Sequence, residues 1–204
     1  MKLAIFGATG RVGSEILKRA LADGHQVTAL QRSPKLDKHP NLETVFGNVR
    51  EGKDIERVIT GADAVFSALG TDKTTTLTDA LPFIIESMER HGIKRIITIG
   101  TAGILDSRLE DGKLRYQGGD SNRKMTFAAE EHEKAFRLLE QSNLEWTIVC
   151  PTYLPDGEAK GGYRVEKDFL PEGGKEISTG DTGEFAYRQL EESTFVRSRV
   201  GIAY

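Results

Sequence analysis

The sequence predicts an α/β fold, a doubly wound parallel sheet with helices on both faces and a small region following it. Three observations predict this. Short runs rich in Val, Ile and Leu alternate with segments of helical period as far as Cys150, and strands that are apolar throughout belong to parallel sheets covered on both sides. A glycine-rich turn joins the first such run to the first helical segment. The alternation then fades after Pro155.

Each element follows from its local pattern. Lys2–Phe6 is an apolar run that opens on glycine. The next segment places Val12, Ile16, Leu17, Ala20 and Leu21 on one face and Lys18, Arg19 and Asp23 off it, which predicts a helix; Gly24 suits its C-cap. Gln26–Leu30 and Leu42–Phe46 read as the second and third strands. Gly52–Thr60 is a short helix with apolar Ile55, Val58 and Ile59, and Ala64–Ala68 is the fourth strand. Thr78–His91 is a longer helix with Leu81, Ile84, Ile85 and Met88 as its buried face, and Pro82 is expected in its first turn, where the missing N–H costs little. Lys94–Gly100 is the fifth strand, Thr126–Ser142 a helix and Leu144–Cys150 the sixth strand. Beyond them, Gly157–Gly174 reads as loop with a short hairpin, Thr182–Glu192 as a helix and Val200–Tyr204 as a last edge strand.

Composition narrows the function classes. With 204 residues, the chain is expected to form one domain, a core over residues 1–156 and a small extension over 157–204 on the substrate side. Hydrophobic residues at 38% and charged residues at 29% fit a folded protein rather than a disordered or membrane-spanning one. No apolar run approaches the roughly 20 residues of a membrane helix, and the start, MKLAIFGATG, does not read as a secretory leader. The net charge of −3 without a basic stripe argues against nucleic acid as the ligand. The single Cys150 excludes an intrachain disulfide and a cysteine zinc cage. The expectation is a cytoplasmic protein with a small-molecule substrate, neither membrane-bound nor metal-dependent, as a monomer or weak dimer.

The turn Gly7-Ala8-Thr9-Gly10-Arg11-Val12-Gly13 has the G-x-x-G-x-x-G spacing of a dinucleotide cradle in a Rossmann-type fold. Gly7 permits the tight turn, Gly10 lets the backbone approach a pyrophosphate, and Gly13 lets helix and strand pack closely. Helix N-terminal amides at that point attract an anion. An NAD-binding fold commonly places a carboxylate at the end of the second strand to hold the ribose 2′-hydroxyl. This chain has Gln31-Arg32-Ser33-Pro34-Lys35 there. A guanidinium with a neighbouring ammonium suits a 2′-phosphate, so the expected coenzyme is NADP(H), held by Arg32, Ser33 and Lys35. A second irregular and mostly polar stretch, Ala102–Met125, follows the fifth strand, at the sheet end where open α/β folds bind ligands.

GATGRVG, LQRSPK, Gly47-Asn48-Val49 after the third strand, SALG after the fourth and WTIVCPTYL at the sixth together resemble the atypical short-chain dehydrogenase/reductases. Within them the chain is most similar to the NADPH-dependent flavin reductase/biliverdin-IXβ reductase branch and its NmrA-like relatives, from Met1 to about Asp156 and more weakly beyond. The resemblance implies that Asn48 and Val49 flank the adenine, although Asp is commoner at the first of these. It further implies that Ala68, Leu69 and Gly70 line the middle of the coenzyme and that Pro151, Thr152 and Tyr153 contact its nicotinamide end.

Many members of the superfamily use a Tyr-x-x-x-Lys pair. Lys134 matches the lysine, but Glu130 stands where the tyrosine would be. Thr101 represents the superfamily's serine or threonine after the fifth strand; if that residue aligns one position later, Ala102 takes its place. His132, with an unperturbed pKa near 6.5, is a candidate acid. The implied activity is NADPH-dependent hydride transfer to a flat conjugated acceptor such as a flavin, tetrapyrrole or quinone. One alternative is a non-catalytic NADP-binding redox sensor of the NmrA-like kind. An epimerase-type enzyme fits less well, because such enzymes carry a larger C-terminal substrate region.

Overall fold

The computed structural model describes residues 1–71, 73–121 and 125–204. In chain order the elements are β1 (Lys2–Phe6), α1 (Arg11–Ala22), β2 (Gln26–Gln31), β3 (Leu42–Phe46), α2 (Gly52–Ile59), β4 (Ala64–Ser67), α3 (Thr76–Arg90), β5 (Arg95–Ile99), a 3₁₀ turn (Ala102–Ile104), α4 (Phe127–Gln141), β6 (Glu145–Pro151), β7 (Arg164–Lys167), α5 (Thr179–Arg188) and β8 (Ser198–Ala203). The strands form one sheet in the order β3-β2-β1-β4-β5-β6-β8-β7. All pairings are parallel except that of β7 with β8. This is the doubly wound Rossmann-type sheet expected from the sequence.

Strand alternation divides the core. Ala4, Phe6 and Val65 face α2, α3 and α4, meeting Ile55, Ile84 and Phe136. Leu3, Ile5, Ala64 and Phe66 face α1 and α5, meeting Val12, Ile16 and Phe185. Both faces of the central strands are thus dry, which is why they read as continuous apolar runs. The chain winds outward from β1 to β3, then returns to the other side of β1 at β4. Phe6 is level with Leu30 on β2 and Ser67 on β4, so the strand ends open together into a crevice at the switch point. Among the described residues no helix is long and apolar enough to cross a membrane.

Four details depart from the expectations. Helix α3 starts at Thr76, so Pro82 lies past its first turn. The ring removes only the bond to the carbonyl four residues back, and the buried side chains of Leu77, Leu81, Ile84 and Met88 keep the helix in place. No local hairpin forms within residues 157–174. Instead β7 pairs with the distant β8, Glu166 opposite Gly201. Strand β8 is therefore internal, with all six residues buried, and β7 is the edge.

Finally, α5 begins three residues early and ends at Arg188. Ser178 caps it, its Oγ accepting the Asp181 N–H at 3.0 Å. Gly183 fits because α5 lies hard against α1, where a methyl at that position would come 2.5 Å from the Glu15 Cβ.

Candidate functional site

Gly7 leaves β1 at φ +79°, and the Gly10 N–H closes the turn on the Gly7 carbonyl at 2.9 Å. Helix α1 then starts with Gly10 at its N-cap, without a capping side chain and without an acid in the first turn. The first-turn amides of Arg11, Val12 and Gly13 are left for an outside acceptor, and the helix dipole favours a negative one. Thr9 and Gly10 are exposed at the mouth. Val12 buries its side chain in the core, so only its backbone can serve a ligand. Arg11 reaches across to the segment after β6, donating to the Leu154 carbonyl at 2.8 Å and to Asp156 at 3.2 Å.

From this cradle a groove of about 170 Å³ runs toward β2 and β3. Gly7, Thr9, Gly10, Arg32, Asn48, Val49, Ala68, Leu69 and Gly70 all line it. The charged side chains among its described walls are both cationic, Arg32 and Arg50. Ser33 and Lys35 are exposed on the same loop as Arg32 but do not form the wall.

Two positioning residues here escaped the sequence. Buried Gln31 accepts the Lys35 N–H at 3.1 Å and the Leu36 N–H at 3.4 Å through Oε1, and so shapes the loop that carries Arg32. Arg50 is fixed by Asp79 at 2.8 Å and by Thr74 and Thr76 at 3.0 Å each. The Asn48 side chain accepts the Arg50 N–H at 3.1 Å. Only the adjacency of Arg50 to Asn48-Val49 hinted at its place.

On the other side of the cradle, the ends of β5 and β6 open into a cavity of about 400 Å³. Thr101, Ala102, Thr152 and Tyr153 line it, and the buried Pro151 closes β6 just behind them. Thr101 Oγ1 accepts the Gly103 N–H at 3.5 Å, a long bond that anchors the 3₁₀ turn. The irregular stretch supplies Arg115, Tyr116, Asp120, Ser121 and Met125 to the same cavity, and the C-terminal region supplies Lys175; residues 122–124 of that stretch lie outside the described residues. Groove, cradle and cavity follow one another along the strand ends, which suits an extended dinucleotide with a second molecule at one end.

A model of a family described as NAD(P)H-binding matches residues 7–193. The chain belongs to the NAD(P)H-binding family. One relative is the uncharacterised protein YwnB of Bacillus subtilis, 26% identical over 94% of this chain and 92% of YwnB. A solved protein from Burkholderia pseudomallei, named as a candidate exported protein, superposes with a TM-score of 0.85 at 27% identity over 100% of both chains. Another from Streptococcus pneumoniae, named as a candidate NADH-flavin reductase, gives 0.79 at 27% identity over 100% of this chain and 99% of its own.

In this NAD(P)H-binding chain neither candidate on α4 lines the groove or the cavity. Lys134 donates to Glu131 at 2.8 Å, which holds its ammonium pKa above the ordinary lysine value. Glu131 is fully buried and also accepts the Thr78 hydroxyl at 2.8 Å, so Lys134 neutralises a buried carboxylate. His132 faces a narrow cleft of Leu81, Ile84, Phe136, Leu139 and Ile148, with Ser67 and Thr98 nearby. This burial pushes the imidazole pKa down to about 4 despite the opposing charge of Glu131. The expected acid near pH 6.5 is thus a neutral ring at pH 7.

The unfolded histidine binds its proton below about pH 6.5, the folded one only near 4. Stability from His132 is complete above 6.5 and declines as pH falls toward 4. The ring keeps some solvent contact, so the loss is about 1–3 kcal/mol. Urea unfolding of wild type and His132→Phe at pH 7 and pH 4.5 checks this: the variant should gain relative to wild type at the lower pH, and parallel curves would remove the assignment.

Proposed function

We propose that the protein is an NADPH-dependent oxidoreductase that passes a hydride to a flat conjugated acceptor, a flavin, tetrapyrrole or quinone. One observation carries the coenzyme choice. The groove wall presents Arg32 and Arg50 and no carboxylate among its described residues. An NAD-type ribose site offers an acceptor to the 2′-hydroxyl, whereas a cationic wall attracts a 2′-phosphate.

In this reading the amides of Arg11, Val12 and Gly13 hold the diphosphate, with Thr9 and Gly10 at the mouth of the cradle. Arg32 takes the 2′-phosphate, with Ser33 and Lys35 adding to the local field. Asn48 and Val49 flank the adenine, and Ala68, Leu69 and Gly70 support the middle of the molecule. Thr101, Pro151, Thr152 and Tyr153 orient the nicotinamide end toward the cavity. Bound NADPH supplies the hydride. The walls exclude water and set the approach of the acceptor, whose accompanying proton comes from solvent, because neither Lys134 nor neutral His132 lines the cavity. The likeness to the Streptococcus protein named for flavin reduction agrees with this acceptor class.

A second reading, a non-catalytic NADP(H) sensor, gains from the same α4 geometry: Lys134 is committed to Glu131, and buried His132 is neutral. The two readings part on turnover. NADPH oxidation with FMN, biliverdin and small quinones supports the reductase; no turnover across that panel with NADPH binding intact leaves the sensor. For the coenzyme, Arg32→Ala should weaken NADPH binding about 10–100-fold and NADH binding hardly at all, measured by titration calorimetry. Equal losses refute the 2′-phosphate role. Because the reaction draws on NADPH, the cytoplasm is the compartment this reading assigns.

A further inference from the structure

Arg115 sits in the wall of the larger cavity, and most of its guanidinium N–H groups are unspent among the described residues. Its backbone is fixed, the N–H donating to the Leu105 carbonyl at 2.8 Å beside the bridge between Asp106 and Leu114. Among the described residues its side chain makes one hydrogen bond, from Nη2 to the Asp120 carbonyl at 3.1 Å. Arg95, another guanidinium sunk into the protein without a carboxylate partner among the described residues, donates instead to the carbonyls of Gln189 and Glu145 and to the Thr147 hydroxyl.

No carboxylate among the described residues lies within ion-pair distance of Arg115. Asp120 shares the cavity, but its carboxylate is taken up by the Ser107 hydroxyl and by the Arg108 N–H at 3.0 Å. Desolvation accordingly pulls the Arg115 pKa below the usual guanidinium range, partly offset by Asp120. Lys175, exposed at the rim of the same cavity, also has no ion-pair partner among the described residues. A half-buried cation with unused donors is costly unless something negative completes it.

We infer that the acceptor is an anion, a flat conjugated molecule whose carboxylate or phosphate lies against Arg115, with Lys175 at the rim. The inference rests on the proposed reductase reading for what occupies the cavity. A planar fork with open N–H groups suits two oxygens of one acid group, while the exposed faces of Tyr153 and Met125 offer apolar cover to a ring system. Neutral acceptors leave Arg115 as it stands and gain nothing from it.

Two ligand pairs separate the anion from the ring. FMN and riboflavin share an isoalloxazine and differ by a phosphate; biliverdin and its dimethyl ester share a tetrapyrrole and differ in free carboxylates. Binding of each to the full chain loaded with NADP⁺ is measured by fluorescence or absorbance titration, and NADPH oxidation is followed in parallel. The expected result is binding about tenfold tighter for the anionic member of at least one pair. Arg115→Gln should abolish that preference, Arg115→Lys should keep part of it, and Lys175→Gln should reduce it. Which pair responds tells phosphate from carboxylate.

No preference in either pair, or one that survives Arg115→Gln, overturns the inference even if the enzyme turns over. An Arg115-dependent preference without NADPH oxidation upholds the anion site and counts against the reductase reading instead.

Discussion

Arg199→Met is expected to lower the unfolding free energy by about 2–4 kcal/mol. Arg199 lies on internal β8 and is 7% exposed. Its Nη1 donates to the Ile104 carbonyl at 2.6 Å, Nη2 to Asp106 at 2.8 Å and Nε to Asp168 at 3.3 Å. The guanidinium also stacks 4.6 Å from the centre of the Phe136 ring. Methionine fills much of the volume but strands two carboxylates and a carbonyl. Because Asp106 and Asp168 keep partial access to water, the cost falls below that of a fully buried broken pair. Arg199→Lys restores the charge without the fork and should fall between the two proteins. Urea denaturation measures all three, and a loss under about 1 kcal/mol for the methionine variant would show that the network is dispensable.

The same substitution should reach the cavity. Ile104 ends the 3₁₀ turn that begins one residue after Thr101, and the Asp106 N–H bonds the Asp168 carbonyl at 2.8 Å. Arg108 adds a bidentate hold on Glu166. These links clasp the irregular stretch to the C-terminal region, so the Arg199 variant should be cut faster by trypsin within residues 105–121 than wild type under native conditions.

Gly13→Ala should cost about 1–3 kcal/mol of stability and weaken coenzyme binding tenfold or more. A methyl at Gly13 would come 2.0 Å from the Gly7 carbonyl oxygen and 3.2 Å from the Ala68 Cβ. Neither the carbonyl nor the strand behind it can swing aside as a flexible side chain would. Helix α1 must instead move off β1, which displaces the amides that face the candidate diphosphate position. Ser14→Ala, one residue along and exposed, is the control and should leave both quantities nearly unchanged. Calorimetric titration with NADPH decides it; an unaltered dissociation constant for Gly13→Ala means that the ligand does not use this helix end.

Both variants show where sequence reading succeeds and where it stops. Gly13 was legible because its constraint is local: a strand, a turn and a helix within fifteen residues of one another announce themselves by spacing and period. Arg32 was legible for the same reason, as the residue at the tip of the second strand. Arg199 was not. It looks like one arginine of the neighbouring Arg197–Arg199 pair, and its partners Ile104, Asp106 and Asp168 lie far away in the chain. Arg50, Gln31 and Glu131 were missed likewise, since a buried polar residue leaves no periodic mark. Lys134 and His132 were found as residue types on a helix, yet only the packing of α3 against α4 shows one neutralising Glu131 and the other sunk among apolar side chains.

The sequence alone determined the doubly wound core, the glycine cradle and the cationic character of the second strand's tip, because each is written in contiguous residues whose backbone and side-chain preferences agree. The tertiary structure decided that β8 slots between β6 and β7, that α5 can carry Gly183 against α1, and that Arg115 and Lys175 share one cavity. Those outcomes depend on burial and pairing between segments tens of residues apart, where the free energy comes from excluding water at a contact that neither segment encodes by itself.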